Sequence, residues 1–141
     1  MRMMFVLGLA VAVVANAGCS KSAPEGTSPM PSPVGVEWRL VSIGGTPAGT
    51  GASGQPATLR LDETSGRASG YAGCNQFSGS YTLSGSSLSF GPLAMTRMAC
   101  AQGGELESRY TMALGQATAW KMTSTGLELR KGSTLLAKFT Q

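Results

Sequence analysis

Histidine is absent from this 141-residue chain. The chain therefore lacks the side chain that most often acts as general acid or base near neutral pH, which is also the commonest metal ligand. Charged residues are scarce, and eleven Lys and Arg exceed seven Asp and Glu by only four. The cations form no long basic run of the kind that binds phosphates. We therefore expect no catalytic residue, no metal or other cofactor, and no nucleic-acid partner.

The chain also lacks an apolar run of the roughly 20 residues that a membrane-spanning helix needs. Its first apolar run, residues 3–14, follows Arg2 and precedes the small residues Ala15 and Ala17. A positive start, a short apolar stretch and small residues are typical of an export signal. We predict a signal peptide over residues 1–18.

Cys19 follows Ala17 and Gly18, and this stretch resembles the end of a bacterial lipobox, whose cysteine carries lipid. Asn16 departs from that pattern, and the alternative is ordinary cleavage after Ala17. Residues 19–33 are rich in Ser, Pro and Gly, as in a flexible tether. We expect an outer-membrane lipoprotein that faces the periplasm, held to the membrane by the lipid on Cys19. The alternative is a soluble periplasmic or secreted protein.

The remaining residues alternate between apolar and polar side chains in short runs. Val36, Trp38 and Leu40 share one face of the first run, and Gly-rich turns separate most of the later ones. The later runs are 58–62, 68–72, 77–83, 87–90, 120–123, 127–130 and 135–140. This pattern predicts an α+β, mainly β fold. We expect a curved antiparallel sheet or incomplete β-barrel of about seven or eight strands.

One segment has helical spacing instead. Its apolar residues fall on one stripe of a helix, and Glu105 and Glu107 lie in the first turn, where they suit the helix dipole. The stripe consists of Leu106, Tyr110, Ala113, Leu114 and Ala117. A single helix among strands must bury its stripe against the sheet. We therefore predict one α-helix packed on the sheet.

Cys74 and Cys100 are a candidate disulfide pair in an exported chain. A bridge between them would stabilise the fold by about 3 to 4 kcal/mol. The alternative is a reactive thiol, although the chain has neither a Cys-x-x-Cys arrangement nor a histidine base.

Residues 70–81 (GYAGCNQFSGSY) resemble the signature of the META domain family, which includes HslJ-like envelope proteins. Residues 88–100 (LSFGPLAMTRMAC) resemble the second block of that family. The resemblance covers residues 34–141. It implies a cracked β-barrel with a helix, in secreted and envelope proteins linked to stress and drug tolerance, and it implies no established catalytic activity.

Four residues of these two blocks are candidate site residues. Gly73, Asn75 and Gly79 are typical of a tight turn with positive φ, or of a loop that contacts a ligand. Arg97 lies between apolar residues, so we expect it in a strand, partly buried and paired with Glu107 or with carbonyl groups. The alternative is that Arg97 binds an anionic ligand.

The function predicted from these residues is a non-catalytic envelope lipoprotein module. It would bind another envelope protein or a hydrophobic small molecule, because an incomplete barrel can hold an apolar ligand. The alternative is an anchored inhibitor of a secreted hydrolase, which would present a rigid loop at residues 44–56. We expect a monomer.

Overall fold

The computed structural model describes residues 31–141. The predicted signal peptide at residues 1–18, Cys19 and most of the predicted tether therefore lie outside the described residues. Within the described part, no helix is long and apolar enough to cross a membrane.

Ten strands and one helix follow one another along this part of the chain. They are β1 (Glu37–Ile43), β2 (Thr46–Pro47), β3 (Thr58–Asp62), β4 (Arg67–Tyr71), β5 (Gln76–Ser84), β6 (Ser87–Phe90), β7 (Ala94–Met95), α1 (Gly104–Gln116), β8 (Ala119–Thr123), β9 (Gly126–Lys131) and β10 (Thr134–Thr140).

The strands form one ring-like antiparallel sheet. Its order is β10–β9–β8–β6–β5–β4–β3–β1, and β1 pairs in turn with β10. The two-residue strands β2 and β7 pair with β1 and β5 respectively. The predicted curved, mainly β sheet with one helix is confirmed, with eight strands in the ring and two short strands added to it.

The joint between β6 and β8 is the narrowest in the ring. Only Ser87 and Ala119 face each other across it, whereas five residue pairs join β8 to β9. The Trp120 indole N–H donates to the Gly85 carbonyl at 2.8 Å, and the Trp120 backbone N–H donates to Ser86 at 3.0 Å. One aromatic side chain therefore reinforces a joint that has little strand pairing.

Apolar side chains fill the inside of the ring. Trp38 and Leu40 of β1 point inward and are buried, while Glu37 and Arg39 are exposed, as their alternation predicts. The buried set continues with Leu59, Leu61, Ala68, Phe77, Leu88, Leu127, Leu129, Ala137 and Phe139. The core therefore consists of alternate residues contributed by most strands of the ring.

Helix α1 packs its apolar stripe on this core. Leu106, Tyr110, Ala113 and Leu114 are its buried residues, as predicted. The Tyr110 ring meets Phe77 edge-on, with ring centroids 5.8 Å apart, and its hydroxyl donates to the Thr58 carbonyl at 2.9 Å. Burial raises the pKa of Tyr110 well above its ordinary value, so the phenol stays neutral. Tyr110 therefore anchors the helix to the ring, because its aromatic ring packs in the core and its hydroxyl is hydrogen-bonded.

Candidate functional site

A disulfide fixes the loop between β4 and β5. Cys74 in that loop is bonded to Cys100, 26 positions later, in the segment that precedes α1. The two Cα atoms are 6.0 Å apart, within the usual range for a disulfide. The predicted structural bridge is confirmed. It connects the strand series to the start of the helix.

Asn75, next to this bridge, is a buried hydrogen-bonding centre. Its backbone N–H and its side-chain Nδ2 donate to the two carboxylate oxygens of Glu107, at 2.6 and 3.1 Å. Its Oδ1 accepts from the Met98 N–H at 2.6 Å and from the Thr96 hydroxyl at 3.1 Å. Asn75 therefore joins three chain segments, and these bonds to protein groups support a structural role in this loop.

Gly73 is a point of close backbone approach. It has φ 120°, and its carbonyl accepts from the Ala52 N–H at 2.7 Å and from the Tyr71 hydroxyl at 2.6 Å. A Cβ on either Gly51 or Gly103 would collide with this carbonyl oxygen. Three chain segments therefore meet at glycines, namely Gly51, Gly73 and Gly103. The prediction of a tight turn with positive φ applies to Gly73.

The structure places Gly79 and Arg97 differently from the sequence-based expectation. Gly79 lies within β5 rather than in a turn, and a Cβ there would collide with the Leu93 side chain. Arg97 is exposed in the loop after β7, not buried in a strand. Its expected partner Glu107 instead accepts hydrogen bonds from Asn75. The expected burial of Arg97 and its pairing with Glu107 are therefore wrong.

A surface groove of about 920 Å³ runs beside the disulfide. Its floor is the outer face of the sheet and includes Glu37, Arg39 and Gln76. Other lining residues are Met98, the two bridged cysteines and, from the loop before β3, Ala52, Ser53, Gln55 and Pro56. The network around Gly73 and Asn75 thus supports a groove with polar and apolar linings.

A second groove of about 520 Å³ continues along the same strands. It shares Glu37, Thr58 and Gln76 with the first groove and adds Arg60 and Ser69. Both salt bridges found within residues 31–141 involve Glu128, so neither Arg39 nor Arg60 forms one among these residues, although the charge of Arg60 helps to lower the pKa of Asp62. The combined surface, which we call the outer groove, carries two arginines and one glutamate.

The sheet register fixes the spacing of the backbone positions that carry these charges. Glu37 lies directly opposite Arg60, and Arg39 lies opposite Thr58, two residues earlier on β3. Arg39 and Arg60 are therefore diagonal neighbours, and such positions are about 7 to 8 Å apart on one face of a sheet.

A separate charged cluster lies on β9 and β10. Glu128 is buried, accepts from the Arg130 guanidinium at 2.8 Å, and lies 3.6 Å from the Lys138 ammonium group. Hydrogen bonding from Arg130 is the main reason why the pKa of Glu128 lies below its ordinary value. This cluster joins neighbouring strands and contributes to the stability of the sheet.

The META domain family model matches residues 32–141. The chain belongs to the META domain family. Its structure is also similar to a solved NMR structure with a TM-score of 0.55 and 30% identity, over 74% of this chain and 86% of that one. A second NMR structure, of a protein from Burkholderia xenovorans, has a TM-score of 0.53 and 31% identity, over 84% and 97% of the two chains. No curated protein matches.

The two sequence blocks of this META domain meet in space. Cys74 and Asn75 of residues 70–81 contact residues 88–100, since Cys74 is bonded to Cys100 and Asn75 accepts hydrogen bonds from Thr96 and Met98. Sequence reasoning missed the outer groove, because Arg39, Arg60 and Gln76 come from three different strands. The sequence signal that could have indicated the groove is that all three residues occupy outward positions in their alternating runs.

Proposed function

We propose that this META domain is a non-catalytic binding module of the cell envelope. The lipid on Cys19 anchors it to the outer membrane, facing the periplasm, and the outer groove binds another envelope protein. This binding supports the envelope under stress or during exposure to drugs. The proposed anchor and location rest on residues 1–33, and the proposed binding surface rests on the folded part.

One observation carries the binding proposal: side chains fill the inside of the sheet ring, whereas the outer groove is open and its flanking loops are held in place. Trp38, Tyr110 and Phe139 fill the interior, where a hydrophobic small molecule would otherwise lie. The outer groove is flanked by loops held by a disulfide and by the Asn75 network. This arrangement favours a protein partner on the outside over an apolar ligand on the inside.

Site-specific photocrosslinking in cells that produce the full chain tests this function. A photoreactive residue replaces Met98, which lines the groove and is 60% exposed. The matched control replaces Met112 on α1, which is 63% exposed and outside the groove lining. We expect one defined envelope protein to be crosslinked from position 98 and not from position 112. Equal crosslinking from both positions, or none from either, would contradict binding at the groove.

The anchor has its own test, in which Cys19→Ser removes the lipid-bearing sulfur. We expect the unsubstituted protein in the membrane fraction and the variant in the soluble periplasmic fraction. A Cys19→Ser protein that stays in the membrane fraction would contradict the lipid anchor.

A second candidate function, inhibition of a secreted hydrolase, is favoured by the loop at residues 44–56. Backbone N–H groups of Ala52 and Ser53 donate to the Gly73 carbonyl and the Tyr71 hydroxyl, so this loop is held in one conformation. A held, exposed loop suits insertion into an enzyme cleft. The crosslinked partner would then be a hydrolase, and its activity would fall when the purified protein is added. That result would favour inhibition over the first function.

A further inference from the structure

We propose that the outer groove takes an extended segment of the partner protein, with two acidic side chains at alternate positions and an apolar side chain beside them. This inference rests on the proposed function and names the chemistry of the partner. It concerns the outer face of β1, β3, β4 and β5.

The spacing of Arg39 and Arg60 suits such a segment. As diagonal neighbours, their positions are about 7 to 8 Å apart. Alternate residues of an extended chain lie on one side, about 6.5 to 7 Å apart. Carboxylates at positions i and i+2 of the segment therefore reach both guanidinium groups. Hydrogen bonds between guanidinium and carboxylate groups are among the stronger polar contacts, and neither arginine forms a salt bridge within residues 31–141.

Glu37 restricts what the groove accepts. It lies directly opposite Arg60, so it repels a polymer that carries a negative charge at every unit. The two arginines still leave the groove with a net positive charge. The arrangement therefore favours isolated acidic side chains over a uniform polyanion.

The apolar lining favours a peptide over an oligosaccharide. Met98 is 60% exposed and lines the groove together with Pro56 and the disulfide. Methionine is a flexible apolar side chain that adapts to varied apolar partners. The exposed Gln76 side chain on the floor offers a donor and an acceptor to a peptide main chain.

Selection from a random decapeptide library displayed on phage, with the purified full chain as target, tests the inference. We expect enrichment of peptides with two acidic residues at positions i and i+2 and an apolar residue nearby. Affinities of the selected peptides are then measured by fluorescence anisotropy. Arg39→Gln and Arg60→Gln should each weaken binding about tenfold. Lys131→Gln is the matched control, since Lys131 is exposed at the end of β9 and outside the groove lining, and it should leave affinity unchanged.

Three outcomes would overturn the inference. They are selection of no peptide or of peptides without the acidic pair, equal weakening by the Lys131→Gln control, and tighter binding of an oligogalacturonate than of any selected peptide. Circular dichroism and thermal melting of each variant verify that it folds. If position 98 still crosslinks an envelope protein when the peptide test fails, the proposed function stands and only the chemistry of the partner is wrong. If crosslinking also fails, the function itself is wrong.

Discussion

Asn75 and Glu107 are joined by two hydrogen bonds, one from the backbone N–H of Asn75 and one from its side-chain amide. The pair connects the loop after β4 to the first turn of α1. Glu107 thereby has two roles, since it also places negative charge near the positive end of the helix dipole. Glu105 lies in the same turn without these contacts, and the difference between the two glutamates is measurable.

Glu107→Gln should lower the free energy of unfolding by about 1 to 3 kcal/mol. A glutamine offers one oxygen where the two donors of Asn75 need two acceptors, so one donor loses its partner. Glu105→Gln is the matched control and should change stability by less than about 0.5 kcal/mol. Urea unfolding followed by circular dichroism measures both values. Equal effects would mean that Glu107 acts through the dipole alone.

Removing the disulfide should destabilise the protein strongly. Replacing Cys74 and Cys100 together with alanine opens a 26-residue separation and should cost about 3 to 4 kcal/mol. Cys19→Ser serves as the control and should leave unfolding of residues 31–141 unchanged. In the folded, unreduced protein, Cys74 and Cys100 should resist alkylation, and ready labelling of either would contradict the bridge.

Gly51→Ala should destabilise the fold by about 1 to 3 kcal/mol, because its Cβ would meet the Gly73 carbonyl and the Tyr71 hydroxyl. Gly115→Ala, in an exposed position of α1 with open space around it, is the control. That change should stabilise by about 0.5 to 1 kcal/mol, because alanine is the better helix residue. Opposite signs in thermal melting are the expected result, and two substitutions of the same sign would contradict the close approach at Gly73.

Glu128 should make stability depend on pH. Its pKa lies below the ordinary value of 4.5 in the folded protein, so its contribution is fully present above that value. The contribution is lost as pH falls through the lowered pKa of the folded state, because protonation weakens the bonds to Arg130 and Lys138. Glu128→Gln should therefore cost about 1 to 2 kcal/mol near pH 7.

The same variant shows whether this carboxylate causes the acid sensitivity. The stability difference between the two proteins should shrink as pH falls below 4.5. Urea midpoints between pH 7 and pH 2.5 measure it. A difference that stays constant over this range would show that the charge on Glu128 contributes nothing. Asp62, whose pKa is lowered mainly by a hydrogen bond from the Ser65 N–H, titrates in both proteins and cancels in the comparison.

The sequence predicts the strands and the helix well because each has a local cause. Alternation places Trp38 and Leu40 inside and Arg39 outside, and the 3.6-residue period places Leu106 and Tyr110 on one stripe. The two-residue strands β2 and β7 are too short to show any period. The pairing of β1 with β10 has no local signal, since it joins distant parts of the chain.

The site could be predicted only in part, because only some of its features have a local cause in the sequence. Cysteine pairing and the positive φ of Gly73 follow from residue type, but the partners of Asn75 depend on how three segments meet. Arg97 was predicted to lie partly buried in a strand because its neighbours are apolar. That prediction is wrong, since the neighbouring Met98 is itself exposed. The outer groove depends on register between strands, which composition does not encode.

The narrow joint between β6 and β8 gives the ring two latent edges. Because strand pairing there is one residue pair wide and the Trp120 indole reinforces it, opening of this joint would free two rows of backbone donors and acceptors. Unpaired edges of this kind are templates for adding a strand from another copy. Self-association at high local concentration would therefore begin at the joint between β6 and β8, before unfolding exposes the apolar interior.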